Sequence, residues 1–130
     1  MSTENSFAED SEEREFRSKV VDTILAGSPE HALKLLSEYY GVNPPEIRVG
    51  TVKAHRRALA CYVEKERRIY FSKSEYLSAP FVVLHEFYHH LRASQINSHR
   101  QVEKGADLFA SNYIQDHRRF HTLYSLHRGD

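Results

Sequence analysis

Residues 80–91 read PFVVLHEFYHHL, an apolar run that leads into three histidines and a glutamate. The apolar, histidine-rich part runs from Val82 to Leu91. It is long enough for a helix that begins after Pro80. Residues four apart lie one above the other on a helix face. His85 and His89 can therefore direct their imidazole nitrogens at one point.

The five residues from His85 to His89 match the pattern H-E-x-x-H. Two histidines at this spacing suit a zinc ion, and Glu86 lies about 100° further round the helix, beside the metal. Zinc lowers the pKa of a water to about 7, and Glu86 can take its proton as it attacks a carbonyl. The alternative is a pair of surface histidines on an amphipathic helix. The apolar run 81–84 favours zinc, because a solvated helix would not need it.

A catalytic zinc site needs a third protein ligand and one open position. A metzincin would carry a third histidine six residues after the second, and that position is Gln95. His99, ten residues on, can serve as a ligand, but Glu103 is the better candidate. Glu103 and Asp107 share one predicted helix face. Glu103 can bind the metal while Asp107 accepts a hydrogen bond from the far nitrogen of a liganding histidine.

Gly105 and Ala106 are small, so the helix that carries Glu103 can approach the H-E-x-x-H helix closely. The competing interpretation is a charged helix surface with an incidental pair of acids. The zinc motif fourteen residues upstream favours the ligand interpretation.

The remaining sequence predicts an α+β fold. One helix runs from Glu12 to Gly27, and a second begins at Ser28-Pro29 and ends at Gly41. Three strands are expected at 46–52, 57–63 and 68–72, with a hairpin between the last two. Ser98 opens the final helix, with Gln101 as its capping-box partner. The expected order is N-terminal helices, a small mixed or antiparallel sheet, the active-site helix and a glutamate-ligand helix.

The length of 130 residues suits one compact domain. We expect a flexible acidic tail at 1–11, a single metallopeptidase domain at 12–116 and a basic tail rich in histidine and arginine at 117–130. The 18 basic and 18 acidic residues balance, so no global charge favours a nucleic-acid partner. A lone cysteine and the absence of a signal peptide or apolar span predict a soluble cytoplasmic protein.

The motif H-E-x-x-H, followed by E-x-x-A-D-x-F-A over 103–110, resembles the gluzincin zinc metallopeptidases. The resemblance covers about 59–114 and is closest to the compact minigluzincins and the ImmA/IrrE-like group. It implies one Zn²⁺ ion, a general base and a supporting carboxylate. The implied zinc ligands are His85, His89 and Glu103, the implied base is Glu86, and the implied supporting residue is Asp107.

The resemblance also implies that strand 68–72 borders the cleft and pairs with an extended peptide substrate. Two positions depart from the family pattern. Tyr88 is bulky where many relatives carry glycine, and His90 forms a His-His pair with its neighbour. Neither change removes a ligand, but both can alter the cleft wall.

Other residues carry weaker predictions. A donor to the transition-state oxyanion is expected beyond the zinc, and Tyr113, His117 and His55 are candidates. His90 either lines the cleft or, as we favour, packs as an ordinary histidine. Cys61 either blocks the zinc as a thiolate or, as we favour, is a buried strand residue.

Three functions follow from the sequence. The first is a zinc endopeptidase that uses Glu86 as base and is latent through its N- or C-terminal tail, with acids, His121 or His127 reaching the metal. The second is a regulatory protease or anti-repressor that acts on one transcription-factor partner, as in ImmA/IrrE-like proteins. The third is a non-catalytic zinc-binding domain.

Overall fold

The fold combines helices with a small sheet in a computed structural model that describes residues 3–94 and 102–127. The described helices are α1 (Thr3–Leu25), α2 (Pro29–Tyr40), α3 (Pro80–Ala93) and α4 (Val102–His127), and the described strands are β1 (Glu46–Val49), β2 (Ala60–Val63) and β3 (Arg68–Phe71). This is the α+β class that the sequence predicts. The expected order of helices, sheet and two further helices is confirmed.

Helix α2 has the boundaries that its sequence predicts. Pro29 lies in the first turn, and Gly41 adopts a left-handed conformation with φ 71°. The Gly41 N–H donates to the carbonyl of Ser37, which satisfies an otherwise unpaired helix end. Ser28 occupies the N-cap position, but its side chain makes no capping hydrogen bond.

The two outer helices extend further than the sequence analysis expects. Helix α1 begins at Thr3 rather than Glu12, so most of the expected flexible segment 1–11 is helical. No glycine or proline interrupts 3–25, and acids early in a helix interact favourably with its dipole. Helix α4 likewise continues through the expected tail to His127. The expected start at Ser98 and the candidate His99 lie outside the described residues.

The sheet is mixed and has the strand order β1-β3-β2. Strand β1 pairs parallel to β3, and β2 pairs antiparallel to it. Both edges of β3 are therefore occupied by hydrogen bonds to its neighbours. The prediction that strand 68–72 holds a substrate is wrong, because a central strand has no backbone groups left for a further chain.

Strand β2 is the sheet edge that faces α3. The carbonyl of Leu59 accepts a hydrogen bond from the Ser72 N–H at 2.9 Å. This bond determines which residues of β2 direct their backbone groups towards β3. In an antiparallel pair, backbone groups alternate between the partner strand and the outer edge. The polar backbone groups of Ala60 and Tyr62 consequently point away from β3.

The core joins the four helices to one face of the sheet. Val83, Leu84 and Phe87 of α3 are fully buried, as are Ile69 and Phe71 of β3. Phe81 was expected in the same buried run, but it is 41% exposed. Of the helices described here, none combines the length and apolar character needed to cross a membrane.

Candidate metal centre

Helix α3 presents His85 and His89 on the face that packs against α4. Their side chains are 16% and 18% exposed, so they line a surface that solvent reaches. The opposite positions Val83, Leu84 and Phe87 are anchored in the core. The anchored face fixes the rotation of the helix and thereby the direction of the two imidazoles.

Glu103 at the start of α4 completes a cluster of three potential metal ligands. Its Oε1 lies 2.8 Å from Nε2 of His89, and its Oε2 lies 3.2 Å from Nε2 of His85. The two Nε2 atoms are 3.4 Å apart. The structure therefore brings together the three residues that the sequence analysis selected as ligands.

The donor types of the cluster and the separation of its two histidine nitrogens suit a zinc ion. Two nitrogens bound at 2.0–2.1 Å to one tetrahedral zinc are separated by about 3.3 Å, and the two Nε2 atoms of His85 and His89 are 3.4 Å apart. Two imidazoles and a carboxylate are a donor set typical of catalytic zinc.

Asp107 lies one turn beyond Glu103, beside the far side of His85. Its Oδ1 is 2.9 Å from Nδ1 of His85. The N–H direction is not aligned with the carboxylate, so this buried nitrogen has no hydrogen bond fully formed. The contact is nevertheless in the position where a carboxylate orients a liganding histidine.

Gly105 allows α4 to approach α3. A Cβ atom at this position would lie 2.7 Å from Oη and 3.0 Å from Cζ of Tyr88. The bulky Tyr88, where the resembled family often has glycine, is thus accommodated by a glycine on the opposite helix. Ala106 next to it is fully buried. The close approach inferred from these small residues is confirmed.

Glu86 lies beside the cluster and is only 8% exposed. Burial raises the pKa of its carboxyl to about 7; His85 opposes this shift and Glu103 adds to it. The backbone N–H of Tyr62 donates a hydrogen bond to the carboxylate and lowers the pKa. Its Oε2 stands 3.9 Å from Nε2 of His85, outside direct hydrogen-bonding distance.

Burial also affects the second histidine of the motif. It lowers the pKa of His89, although Glu103 opposes the shift. A metal binds the neutral imidazole, so a lowered pKa favours the protonation state that is ready for a metal.

His90 has the structural role that we favour from the sequence. It is 1% exposed, and its Nε2 lies 2.6 Å from the carbonyl oxygen of Asn43. A carbonyl only accepts, so Nε2 carries the proton and Nδ1 accepts from the Tyr62 hydroxyl at 2.8 Å. His90 thereby connects α3 to β2 and to the loop after α2.

Cys61 lies in β2 and is partly exposed rather than buried. Burial of the thiol raises its pKa, and the nearby Glu86 carboxylate raises it further. Both influences favour the thiol over the thiolate in the metal-free protein. The role of Cys61 as a zinc-blocking ligand stays a prediction.

The structure does not bring Tyr113 or His117 to the cluster, so their prediction as oxyanion donors is wrong. They follow Glu103 by ten and fourteen residues on one continuous helix, which separates them from it by roughly 15 and 21 Å along the axis. Tyr113 is buried, and its hydroxyl shares a 2.7 Å hydrogen bond with that of Tyr40. His117 instead contacts Asp22. His55 is exposed in a short 3₁₀ turn before β2. Its role as an oxyanion donor stays a prediction.

The described part of the C-terminal segment, residues 117–127, leads away from the cluster. His127 ends the helix that begins beside Glu103, so its backbone is roughly 36 Å away along the axis. His121 pairs with Asp22 instead. Latency through the C-terminal tail is therefore contradicted, because a continuous helix carries that tail away from the site. Latency through the N-terminal segment stays a prediction.

The backbone N–H of Tyr62 is a part of the site that the sequence does not predict. A backbone group leaves no signature in residue type, and the strand register that aims it at Glu86 is visible only in the fold. Phe81 was also missed as part of the site surface; its ring centroid is 6.0 Å from that of His85.

The chain was compared with protein-family models, with curated proteins and with solved structures, and no significant match was found.

Replacing Gly105 with alanine tests the approach of the two helices. We expect Gly105→Ala to displace Tyr88 and weaken zinc binding roughly tenfold in the native background. In a Tyr88→Ala background, the same change should stabilise the protein by up to ~1 kcal/mol, since alanine is the better helix former. Zinc titration and urea unfolding of the four proteins measure this coupling. Equal effects of Gly105→Ala in both backgrounds would contradict it.

Replacing Tyr113 with phenylalanine tests its assignment to the core. The change removes the hydrogen bond to Tyr40 and should lower the free energy of unfolding by about 1 kcal/mol. Tyr40→Phe removes the same bond and is the matched control. Any hydrolytic activity should stay within twofold of the native value. If Tyr113→Phe lowered the hydrolytic activity a hundredfold or more while zinc stayed bound, Tyr113 would have a catalytic role.

Proposed function

We propose that this chain is a zinc-dependent endopeptidase of the gluzincin type. The observation that supports the proposal is the convergence of two imidazole nitrogens and two carboxylate oxygens, with a separate buried carboxylate beside them. His85, His89 and Glu103 would hold the ion, and Asp107 would orient His85. Bound zinc would supply Lewis-acid polarisation of a carbonyl and acidify an attacking water.

Glu86 is the general base in this proposal. Its carboxylate is close to the cluster yet not among the converging ligand atoms. Burial keeps its proton affinity high, so it can accept a proton from water near neutral pH and pass it to a leaving amine. The Tyr62 N–H holds the carboxylate in place for both transfers.

An extended peptide would bind along the outer edge of β2 rather than along β3. Ala60 directs its N–H and its carbonyl to that edge. Tyr62 offers only its carbonyl there, because its N–H already donates to Glu86. The edge faces α3. A substrate strand could form main-chain hydrogen bonds there, close to Glu86. Phe81, partly exposed next to His85, offers an apolar surface for a substrate side chain.

A catalytic role fits the ligand set better than a purely structural one. Within 3–94 and 102–127, the cluster around His85 has three ligand residues, whereas structural zinc sites are usually closed by four. The lone thiol of Cys61 suits a reducing compartment such as the cytoplasm.

The substitution Glu86→Gln tests the proposed base. Glutamine keeps the shape of the side chain but cannot accept the proton, so we expect kcat to fall by a factor of about 10²–10⁴. Zinc content should stay at the native value because Glu86 is not a ligand. Cleavage of casein and of a fluorogenic peptide library measures activity, and plasma emission spectrometry measures zinc.

The exposed Glu38→Gln on α2 is the matched control and should retain full activity. Native-level cleavage by Glu86→Gln would refute the mechanism. Failure of the native protein to cleave any peptide while it binds zinc would refute the general endopeptidase. Cleavage of one protein partner alone would instead support the dedicated regulatory protease.

A further inference from the structure

A second cluster of potential metal ligands lies between α1 and α4. His117 and His121 are four residues apart on α4, and Asp22 faces them from α1. Nε2 of His117 is 2.7 Å from Oδ1 of Asp22, and Nε2 of His121 is 3.3 Å from the same oxygen. The two imidazole rings stand 4.3 Å apart between centroids.

These positions are as expected for a metal site built on two helices. The spacing of four places both imidazoles on one face, as in the first cluster. Ligand atoms on a tetrahedral zinc are about 3.3 Å apart. The distance from His121 to Asp22 matches that value at 3.3 Å, and the distance from His117 to Asp22 is shorter at 2.7 Å. Small side-chain movements would therefore admit an ion.

We propose that Asp22, His117 and His121 form a second binding site for a divalent transition metal. Two imidazoles and one carboxylate suit Zn²⁺, Co²⁺, Ni²⁺ or Cu²⁺, whereas Ca²⁺ and Mg²⁺ prefer oxygen ligands throughout. The site is separate from the first, because His117 is roughly 21 Å along α4 from Glu103. It does not depend on the proposed peptidase activity.

The surroundings leave such an ion accessible. Asp22 and His121 are each 52% exposed at the side chain, while His117 is 17% exposed. A shallow groove of about 510 Å³ runs beside Asp22, and its lining residues include Lys19, His31 and Phe120. The ion would enter from this side with open coordination positions for water.

A metal at this site would connect the first helix to the last. Asp22 belongs to α1 and both histidines belong to α4, and these helices pack directly against each other. The ion would bind the folded state in preference to the unfolded chain, so metal should raise the melting temperature. The proposed consequence is a metal-dependent clamp on the helix pair, independent of catalysis.

Metal stoichiometry of the full chain tests the proposal. Metal-free protein is titrated with Zn²⁺ by calorimetry and with Co²⁺ by visible absorption. We expect two ions for the native chain, one for His117→Ala/His121→Ala and one for His85→Ala/His89→Ala. In the last variant, Zn²⁺ at a hundredfold excess over Kd should raise Tm by roughly 10 °C.

Two milder variants keep the test decisive if the double replacement unfolds the protein. Asp22→Asn and His121→Ala change exposed side chains and should each weaken the second ion at least tenfold. The matched control Arg118→Ala, exposed on the same helix, should still bind two. A native stoichiometry of one, or unchanged second-site affinity in both Asp22→Asn and His121→Ala, would overturn the site.

Discussion

The close contact between α3 and α4 is the constraint on which the candidate metal centre depends. Each helix carries only part of the ligand set, so neither can hold a metal alone. Tyr88 leaves no room for a side chain at Gly105. Ala106, the next residue, is fully buried. These two small residues bring the Glu103 oxygens to 2.8 and 3.2 Å from the histidine nitrogens. The geometry of the centre is thus a consequence of helix packing.

A second relationship connects the core to the proposed chemistry. The apolar face of α3 is anchored in the core, and the same burial that stabilises the helix keeps Glu86 out of water. A carboxylate in such surroundings binds its proton more tightly. The hydrogen bond between His90 and the Tyr62 hydroxyl fixes the position of β2. The backbone of Tyr62 in turn contacts Glu86. Core packing and proton affinity at Glu86 therefore have one physical cause.

The sequence predicts the helical residues of the centre well because helical spacing converts directly into geometry. The pairs His85/His89 and Glu103/Asp107 are each four apart, and the structure places them together. Strand order has no such local signature, so the central position of β3 and the edge position of β2 could not be predicted. His117 was expected in a separate tail, but α4 continues through that tail and carries His117 away from Glu103. Tyr113 lies ten residues beyond Glu103 on the same helix and packs into the core. The partnership of Asp22 with His117 joins residues 95 positions apart, which pattern alone cannot detect.

A crystal structure of the zinc-loaded protein, with anomalous scattering measured at the zinc edge, would test directly whether α3 and α4 hold a zinc ion between them. We expect an anomalous peak between His85, His89 and Glu103, with ligand distances of about 2.0–2.2 Å. We also expect that no fourth protein side chain completes the coordination. Absence of zinc from this position, or a fourth protein ligand that closes the site, would contradict the account.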